Sequence, residues 1–524
     1  MHTPFARGLR LAAALALAVA GLAFAGAAAA DNQYLIHNLV SDGALPADHV
    51  DANLVNAWGL TRSATSPWWV ADNGSEKTTV YNGAGVLVMV GGLPFQGVPG
   101  NPTGAVFSGI SGTFQVGTTA SPTTLGTSNF IFSGEDGMIR AWRGGSTAAL
   151  VTALGGSDAV FKGLALAPTV AAPLQGPLLY ATDFHNGHVD VYNGQWQPVT
   201  VPGGFVDPNL PAGYAPFGIQ AIGSRIFVTY AVQDAAGHDE VDGAGLGIVD
   251  AYDTAGNLLA RVAQGGDLNA PWGLAQAPAS FGAFGGDLLV GNFGDGRINA
   301  FQEQPDGSYR RAGTLQSASG GQVAIDGLWA LEFGGGTANN GSTDTLYFTA
   351  GPNGENDGLF GTINAANMQC MNEQLSGTYR SVTVTGGSWC DLSGAHVTGN
   401  VQAQGTTGLR LASSTVGGNV QVQNITSAAD PFSPGANAIC SSTIGGNLQI
   451  QGSAAVSPWT IGPCSPTGSG NNIAGNVQFQ NNAGSPNVIS GNTIGGNLQC
   501  QNNGAVTTGG NTVHGKAQGQ CAAP

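Results

Sequence analysis

The sequence predicts an all-β protein: a six-bladed β-propeller followed by a small β-solenoid. Three observations predict it. A unit of turn, apolar run, loop and hairpin recurs six times between residues 56 and 363. A shorter unit, Gly-Asn-Val-Gln and its variants, recurs six times from Gly399 onward. Glycine supplies 85 of 524 residues and charged residues only 9%, which suits many tight β turns and disfavours helix.

The propeller unit is clearest from Ala270 to Phe301, APWGLAQAPASFGAFGGDLLVGNFGDGRINAF. A Pro-aromatic-Gly turn leads into an apolar run, and Asp295-Gly296 turns the second run, DLLVGNF, into RINAF. Asp-Gly between two apolar runs is a strong hairpin signal, because both turn residues adopt positive φ. Two or three strands cannot bury a core alone, so the unit needs copies of itself.

The copies open at Asn56-Ala57-Trp58-Gly59-Leu60, Asn101-Pro102-Thr103-Gly104, Phe161-Lys162-Gly163-Leu164, Pro216-Phe217-Gly218-Ile219 and Asp326-Gly327-Leu328-Trp329. Taking the turn glycines as 59, 104, 163, 218, 273 and 327 gives steps of 45, 59, 55, 55 and 54 residues. Six all-β units at a nearly constant period, with about four short strands each, predict six blades. This region resembles the secreted six-bladed sheets that include the NHL-repeat proteins.

Before the first unit the chain reads as a secretory signal peptide over residues 1–30. Arg7 and Arg10 supply the charged start, Leu11 to Ala25 the apolar segment, and Ala28-Ala29-Ala30 the small-residue cleavage site. The expectation is an exported protein, extracellular or periplasmic, with no membrane span. The domains expected are 31–365 for the propeller and 366–524 for a cysteine-containing solenoid. Net charge is −16; removing Arg7 and Arg10 takes it to −18, all of it in the propeller, since the charges after Gly361 cancel. So acidic a module argues against nucleic acid as partner, because phosphates repel it.

Gln33 to Val40 forms a strand ahead of the first blade, and the sixth unit stops at Ile363 one strand short. The expectation is ring closure by pairing these two, which removes two open edges. The residues before the six turn glycines are Trp58, Thr103, Lys162, Phe217, Trp272 and Asp326. They are expected to circle the channel mouth. Trp58, Lys162, Phe217, Trp272 and Asp326 are the candidate ligand-binding residues, with Lys162 and Asp326 facing each other from opposite blades.

Two metal readings follow from residue type. In Asp183-Phe184-His185-Asn186-Gly187-His188-Val189-Asp190, a two-residue Asn-Gly turn pairs His185 with His188 and Asp183 with Asp190. All four then share one face, a donor set for Zn²⁺ or another divalent ion. Asp72, Glu135, Asp136, Asp295, Glu355 and Asp357 lie in similar loops of several blades, and hard oxygen ligands of this kind suit Ca²⁺. No G-x-S-x-G, H-E-x-x-H or Walker motif occurs, and the propeller holds no cysteine. The sequence therefore points to no catalytic residue.

The run from Leu346 to Gly361, LYFTAGPNGENDGLFG, together with Asn56-Ala57-Trp58-Gly59-Leu60, resembles a family of uncharacterised secreted bacterial propeller proteins. The likeness covers about residues 32–363. It implies fold and export and carries no activity.

The tail repeats GNVQAQ, GNVQVQ, GNLQIQ, GNVQFQ, GNLQCQ and GKAQGQ, with steps of 19, 28, 29, 21 and 19 residues. Each unit is read as one strand with a Gly-Asn corner. Its apolar residues point in and its glutamines out, so stacked coils would carry two amide ladders. The tail resembles the Gly-Asn-Val repeats attached to many secreted bacterial proteins. All six cysteines lie here; an exported chain favours disulfides, and of 15 pairings the sequence-neighbour set Cys370–Cys390, Cys440–Cys464 and Cys500–Cys521 is expected.

Function reads first as a binding or scaffold module. Its ligand on the top face is a small molecule, glycan or protein, and its tail serves as spacer or self-association module. The alternative is a Ca²⁺-dependent hydrolase of lactonase type, on fold analogy alone.

Overall fold

The computed structural model describes residues 32–118, 120–150, 158–170, 174, 176–426, 437–454 and 456–522. The expected signal peptide lies outside them. The fold is all-β, as the sequence predicts, with six antiparallel sheets arranged as blades and three parallel sheets forming the tail. The innermost strands are Ala57–Thr61, Pro102–Phe107, Phe161–Val170, Tyr214–Ile222, Pro271–Gln276 and Leu328–Phe333.

What draws these strands into a ring is a backbone contact. A Cβ on Gly59 would lie 2.4 Å from the Thr103 carbonyl oxygen, one on Gly218 2.2 Å from that of Trp272, and one on Gly273 2.4 Å from that of Trp329. Gly104 and Gly163 meet the next strand in the same way. Only glycine permits this approach. The series continues to Ala330, not to Gly327. Gly327 sits at φ +64°, three residues before Ala330, just as Asn56, Asn101 and Ala270 take positive φ three residues before their own glycines. The sixth unit is therefore read three residues too early in the sequence. Its glycine serves the turn, and the partner of Trp58 in the ring is Trp329, not Asp326.

Ring closure is as expected. Tyr34–Ser41 pairs antiparallel with Leu359–Ala365, with Ile36 opposite Ile363. Blade six thus runs Leu328–Phe333, Leu346–Ala350, Leu359–Ala365, Tyr34–Ser41 outward.

The chain passes straight from Leu359–Ala365 into the solenoid at Asn367–Cys370. The junction is tied by Ala366 N–H to Gln33 O at 2.7 Å and by the Tyr379 hydroxyl donating to the buried Asp344 at 3.0 Å. Each coil carries three short strands rather than the single strand read from the motif; the sheets hold eight, seven and seven strands. A second strand of the coil also repeats, as the pairs Thr415-Val416, Thr443-Ile444, Thr493-Ile494 and Thr512-Val513 ahead of the corner, but at two residues it is too short to read as a strand from the motif alone. Val401, Ala403, Val420, Val422, Leu448, Ile450, Val477 and Phe479 point inward and are at most 2% exposed. The glutamines stack in register, Gln402 on Gln421, Gln449, Gln478 and Gln499. At the corners, Asn400, Asn419, Asn447 and Asn476 each accept the backbone N–H of the next coil's asparagine at 2.8–2.9 Å.

Cys370–Cys390, Cys440–Cys464 and Cys500–Cys521 are bonded, the pairing expected. Since all three lie in the solenoid, reduction is expected to cost about 2–5 kcal/mol per bridge there. Two-step urea unfolding after reduction, with the propeller transition unmoved, is the result to look for.

Candidate functional site

The ring positions do not line an open mouth. Trp58, Thr103, Lys162, Phe217, Trp272 and Trp329 are between 0% and 8% exposed and fill the channel. Trp58 stacks on Trp329 at 3.7 Å between centroids, and Trp272 meets both edge-on. Phe217 packs edge-on against Trp329 at 5.9 Å. Asp326 is exposed, and its carboxylate accepts the Asn353 N–H at 2.8 Å. It does not meet Lys162.

Lys162 is the one charged group in this plug. Its ammonium lies 5.0 Å from the Trp58 ring, 2.5 Å from Glu135 Oε1 and 3.1 Å from Asp239 Oδ1. Glu135 comes from the middle hairpin of blade two and Asp239 from that of blade four. The second oxygen of Glu135 accepts Asn73 Nδ2 at 3.0 Å. Asn56 Nδ2 donates to Glu355 at 2.7 Å, and Asn56 Oδ1 receives the indole N–H of Trp58 at 2.8 Å and of Trp329 at 3.1 Å. One hydrogen-bonded array thus spans blades one, two, three, four and six over a tryptophan floor.

Burial opposes the charge on Lys162, yet Glu135, with Glu240 and Asp239, holds its pKa above the ordinary lysine value. Burial pushes Glu240 up to about 7 despite Lys162, and raises Glu355 despite the bond from Asn56. Burial also works against the Asp239 carboxylate, but Lys162 and His238 keep its pKa below the usual range. The site therefore combines one buried cation with a carboxyl, Glu240, raised to about 7, a second, Glu355, also raised, and a third, Asp239, lowered, a spread of shifts of the kind found at functional sites.

Glu135, His238 and Asp239 also bring their ligand atoms within 4.8 Å of one another. The lysine shares that space. Its ammonium already holds one oxygen each of Glu135 and Asp239, so a divalent ion would have to compete with it.

The blade-three hairpin differs from the sequence reading. The turn takes four residues, 184–187, so Asp183 pairs with His188, and Asp190 with Ala181. Asp183, His188 and Asp190 cluster, with His188 Nε2 3.2 Å from Asp190 and 4.0 Å from Asp183. His185 leaves the set, as its ring lies beside Gly237 of blade four. The Asp183 carboxylate caps the turn, accepting Asn186 Nδ2 at 2.8 Å and the Asn186 N–H at 3.1 Å. Of the loop acids proposed for Ca²⁺, Asp136 is paired with Arg140 at 2.6 Å, Asp295 caps Arg297 N–H at 3.2 Å, and Asp72 is fully buried. Glu135 and Glu355 reach the central array.

Sequence reading missed Asn73, His238, Asp239 and Glu240. A signal was present: the connection from Gln233 to Ile248 in blade four is much longer than the tight turns elsewhere and carries GHDEVDG. Length and charge together mark such a loop as functional.

An uncharacterized protein of Acanthamoeba polyphaga mimivirus is 30% identical over 341 residues, spanning 63% of this chain and 79% of that one. This chain belongs to its family. A second uncharacterized mimivirus protein is 27% identical over 342 residues, covering 63% of this chain and 85% of its own. The relatives are viral, which does not support the bacterial family expected from the motifs. No family model matches the chain. Among solved structures, a virginiamycin B lyase from Staphylococcus aureus aligns with 63% of this chain and 99% of its own at 11% identity and a TM-score of 0.36. The soluble aldose sugar dehydrogenase of Escherichia coli aligns with 64% of this chain and 100% of its own at 12% and 0.39. Likenesses this weak carry no argument about this chain, and the fold rests on the strand pairing above.

Two outcomes test this arrangement. Lys162→Met strands two carboxylates and is expected to destabilise the propeller by about 3–5 kcal/mol in urea unfolding, an effect that Glu135→Gln in the same chain partly restores. The second concerns pH. Glu240 keeps its proton in the folded state up to about 7, against 4.5 for an ordinary glutamate. Its stabilising effect is full below that lower value and is lost as pH rises through 7. Glu240→Gln is therefore expected to flatten the fall in melting temperature between pH 5 and 8.

Proposed function

We propose that this protein is an exported binding module that holds a small cationic ligand, an amine or guanidinium compound, on the carboxylate array above the tryptophan plug. The observation that carries this reading is the Lys162–Glu135–Asp239 cluster with Glu240 and Glu355 around it: four carboxylates face one ammonium and His238. Asp239 is 63% exposed, so the array is reachable from solvent. A cation arriving there meets ionised Asp239 and displaces the proton of Glu240, in keeping with the acidic charge of the chain. The Trp floor adds cation–π attraction, as it does for Lys162.

The tail acts as the spacer or self-association module of the same exported protein. Its support is the contrast between two ladders. The corner asparagines are closed by the bonds between coils, whereas Gln402, Gln404, Gln421 and Gln423 face a groove of about 490 Å³. The metal-dependent hydrolase reading has less support, because Lys162 holds the oxygens that a central ion would need.

A thermal-shift panel of putrescine, agmatine, monosaccharides and calcium tests the proposal. Amines are expected to raise the melting temperature, with affinity falling about tenfold, or 1.4 kcal/mol, in Asp239→Asn and staying level in Asp326→Asn. A chelator-sensitive rise with calcium alone would turn the assignment to the metal-dependent reading. No shift with any amine would sink it.

A further inference from the structure

The inner strands run away from the carboxylate array, and a second space, open to solvent on one side, lies between their far ends. Leu60, Thr61, Arg62, Ala105, Val106, Phe107, Leu166, Gln220 and Glu332 are among the residues around a chamber of about 170 Å³. Above it a space of about 20 Å³, bounded by Gly59, Trp272 and Ala330, leads up to the plug. About 10–15 Å³ of space open to a water's centre holds one water, so the constriction admits about one and the chamber several. The buried plug of Trp58, Trp272 and Trp329 separates the two ends of the channel for anything larger than water.

The chamber exposes more polar than apolar surface, with the carbons of Leu60, Val106 and Phe107 as part of its apolar lining. Glu332 is three-quarters buried, at 25% side-chain exposure, and borders both spaces. Its one ion pair, with Arg62 Nε, is long at 3.5 Å. Arg62 is committed elsewhere. It donates to the Phe333 carbonyl at 2.7 and 3.1 Å and to Ser63 O at 3.3 Å, and its guanidinium lies 5.2 Å from the Trp68 ring. Thr61 Oγ1 accepts the Phe107 N–H at 3.0 Å, which leaves its hydroxyl proton to donate. Gln220 is half-buried, and its amide makes no hydrogen bond among those described. Carboxyl, hydroxyl and carboxamide therefore converge on one small space with bonding capacity unspent.

Charge decides the ligand class. Arg62 and an ionised Glu332 cancel, so a charged guest would sit in the chamber uncompensated, at high desolvation cost. A neutral guest that both donates and accepts hydrogen bonds matches the three groups. We propose that this chamber is a second binding site, distinct from the carboxylate array, for a neutral polyol of three to five carbons, held by Glu332, Gln220 and Thr61 against the Leu60, Val106 and Phe107 walls. Burial, against the pull of Arg62, pushes Glu332 up to about 7, so above that pH it is ionised, balances Arg62 and accepts from hydroxyls.

Calorimetric titration of the full chain with glycerol, erythritol and xylitol tests the site. Saturable one-to-one binding of at least one polyol is expected. It should weaken at least tenfold in Glu332→Leu, which removes the carboxyl at similar volume, and in Gln220→Phe, which fills the chamber from a half-exposed position. Asp239→Asn, at the other end of the channel, should leave it unchanged, so failure of the array proposal and failure of this one read differently. Melting curves report whether each variant folds, and Gln220→Phe keeps the test decisive if Glu332→Leu does not. Binding that survives both substitutions, or no saturable binding of any of the three polyols, overturns the proposal.

Discussion

Backbone pressed against backbone at the centre of the ring is the constraint on which the rest depends. Five inner strands carry glycine where the next strand's main chain passes within van der Waals distance of where a Cβ would stand. That closeness sets the width of the channel. A channel this narrow is filled by the side chains that flank the glycines, and here those are three tryptophans, a phenylalanine, a threonine and a lysine. Aromatic side chains supply large buried area and stack in offset and edge-on pairs, so the plug is both apolar and rigid.

One charge in that plug then organises the surface above it. A buried ammonium costs several kcal/mol unless it is paired, and removing its partners costs more than the pair contributes. Lys162 answers this by drawing Glu135 and Asp239 from two different blades onto itself. Asn73 and Asn56 extend the pairing to Glu355 and to the indole N–H groups. The result is an acidic rim anchored on a basic centre. Burial raises Glu240 to about 7 and raises Glu355, and Lys162 opposes both shifts.

The tail solves a different problem with the same economy of motif. Parallel coils have no hairpins to fix register. Asparagine corners fix it instead, each side chain accepting the backbone N–H one coil up, and three disulfides add cross-links, of which Cys370–Cys390 joins two strands directly. Asp344 and Tyr379 join this stack to blade six through a buried hydrogen bond. The connection therefore depends on packing as well as on chain continuity.

Local chemistry was legible in the sequence wherever period and residue type were enough. Turn glycines and apolar runs determined the six blades, the orphan strand at Gln33 determined how the ring closes, and the Gly-Asn-Val repeat determined the solenoid, while the cysteine pairing was one expectation among 15 that only the structure decided. These follow from steric rules that act over a few residues. What only the tertiary structure decided depends on which backbones touch. Gly327 and Gly59 are the same letter, but one is there for positive φ and the other for close approach, so Asp326 gave way to Trp329 in the ring. The four-residue turn at 184–187 moved His185 out of its cluster. Glu135, Asp239, Glu240 and Glu355 are up to 220 residues apart and meet only because the blades close into a circle. A buried lysine selects its partners by distance in space, and nothing in the order of the chain records that distance.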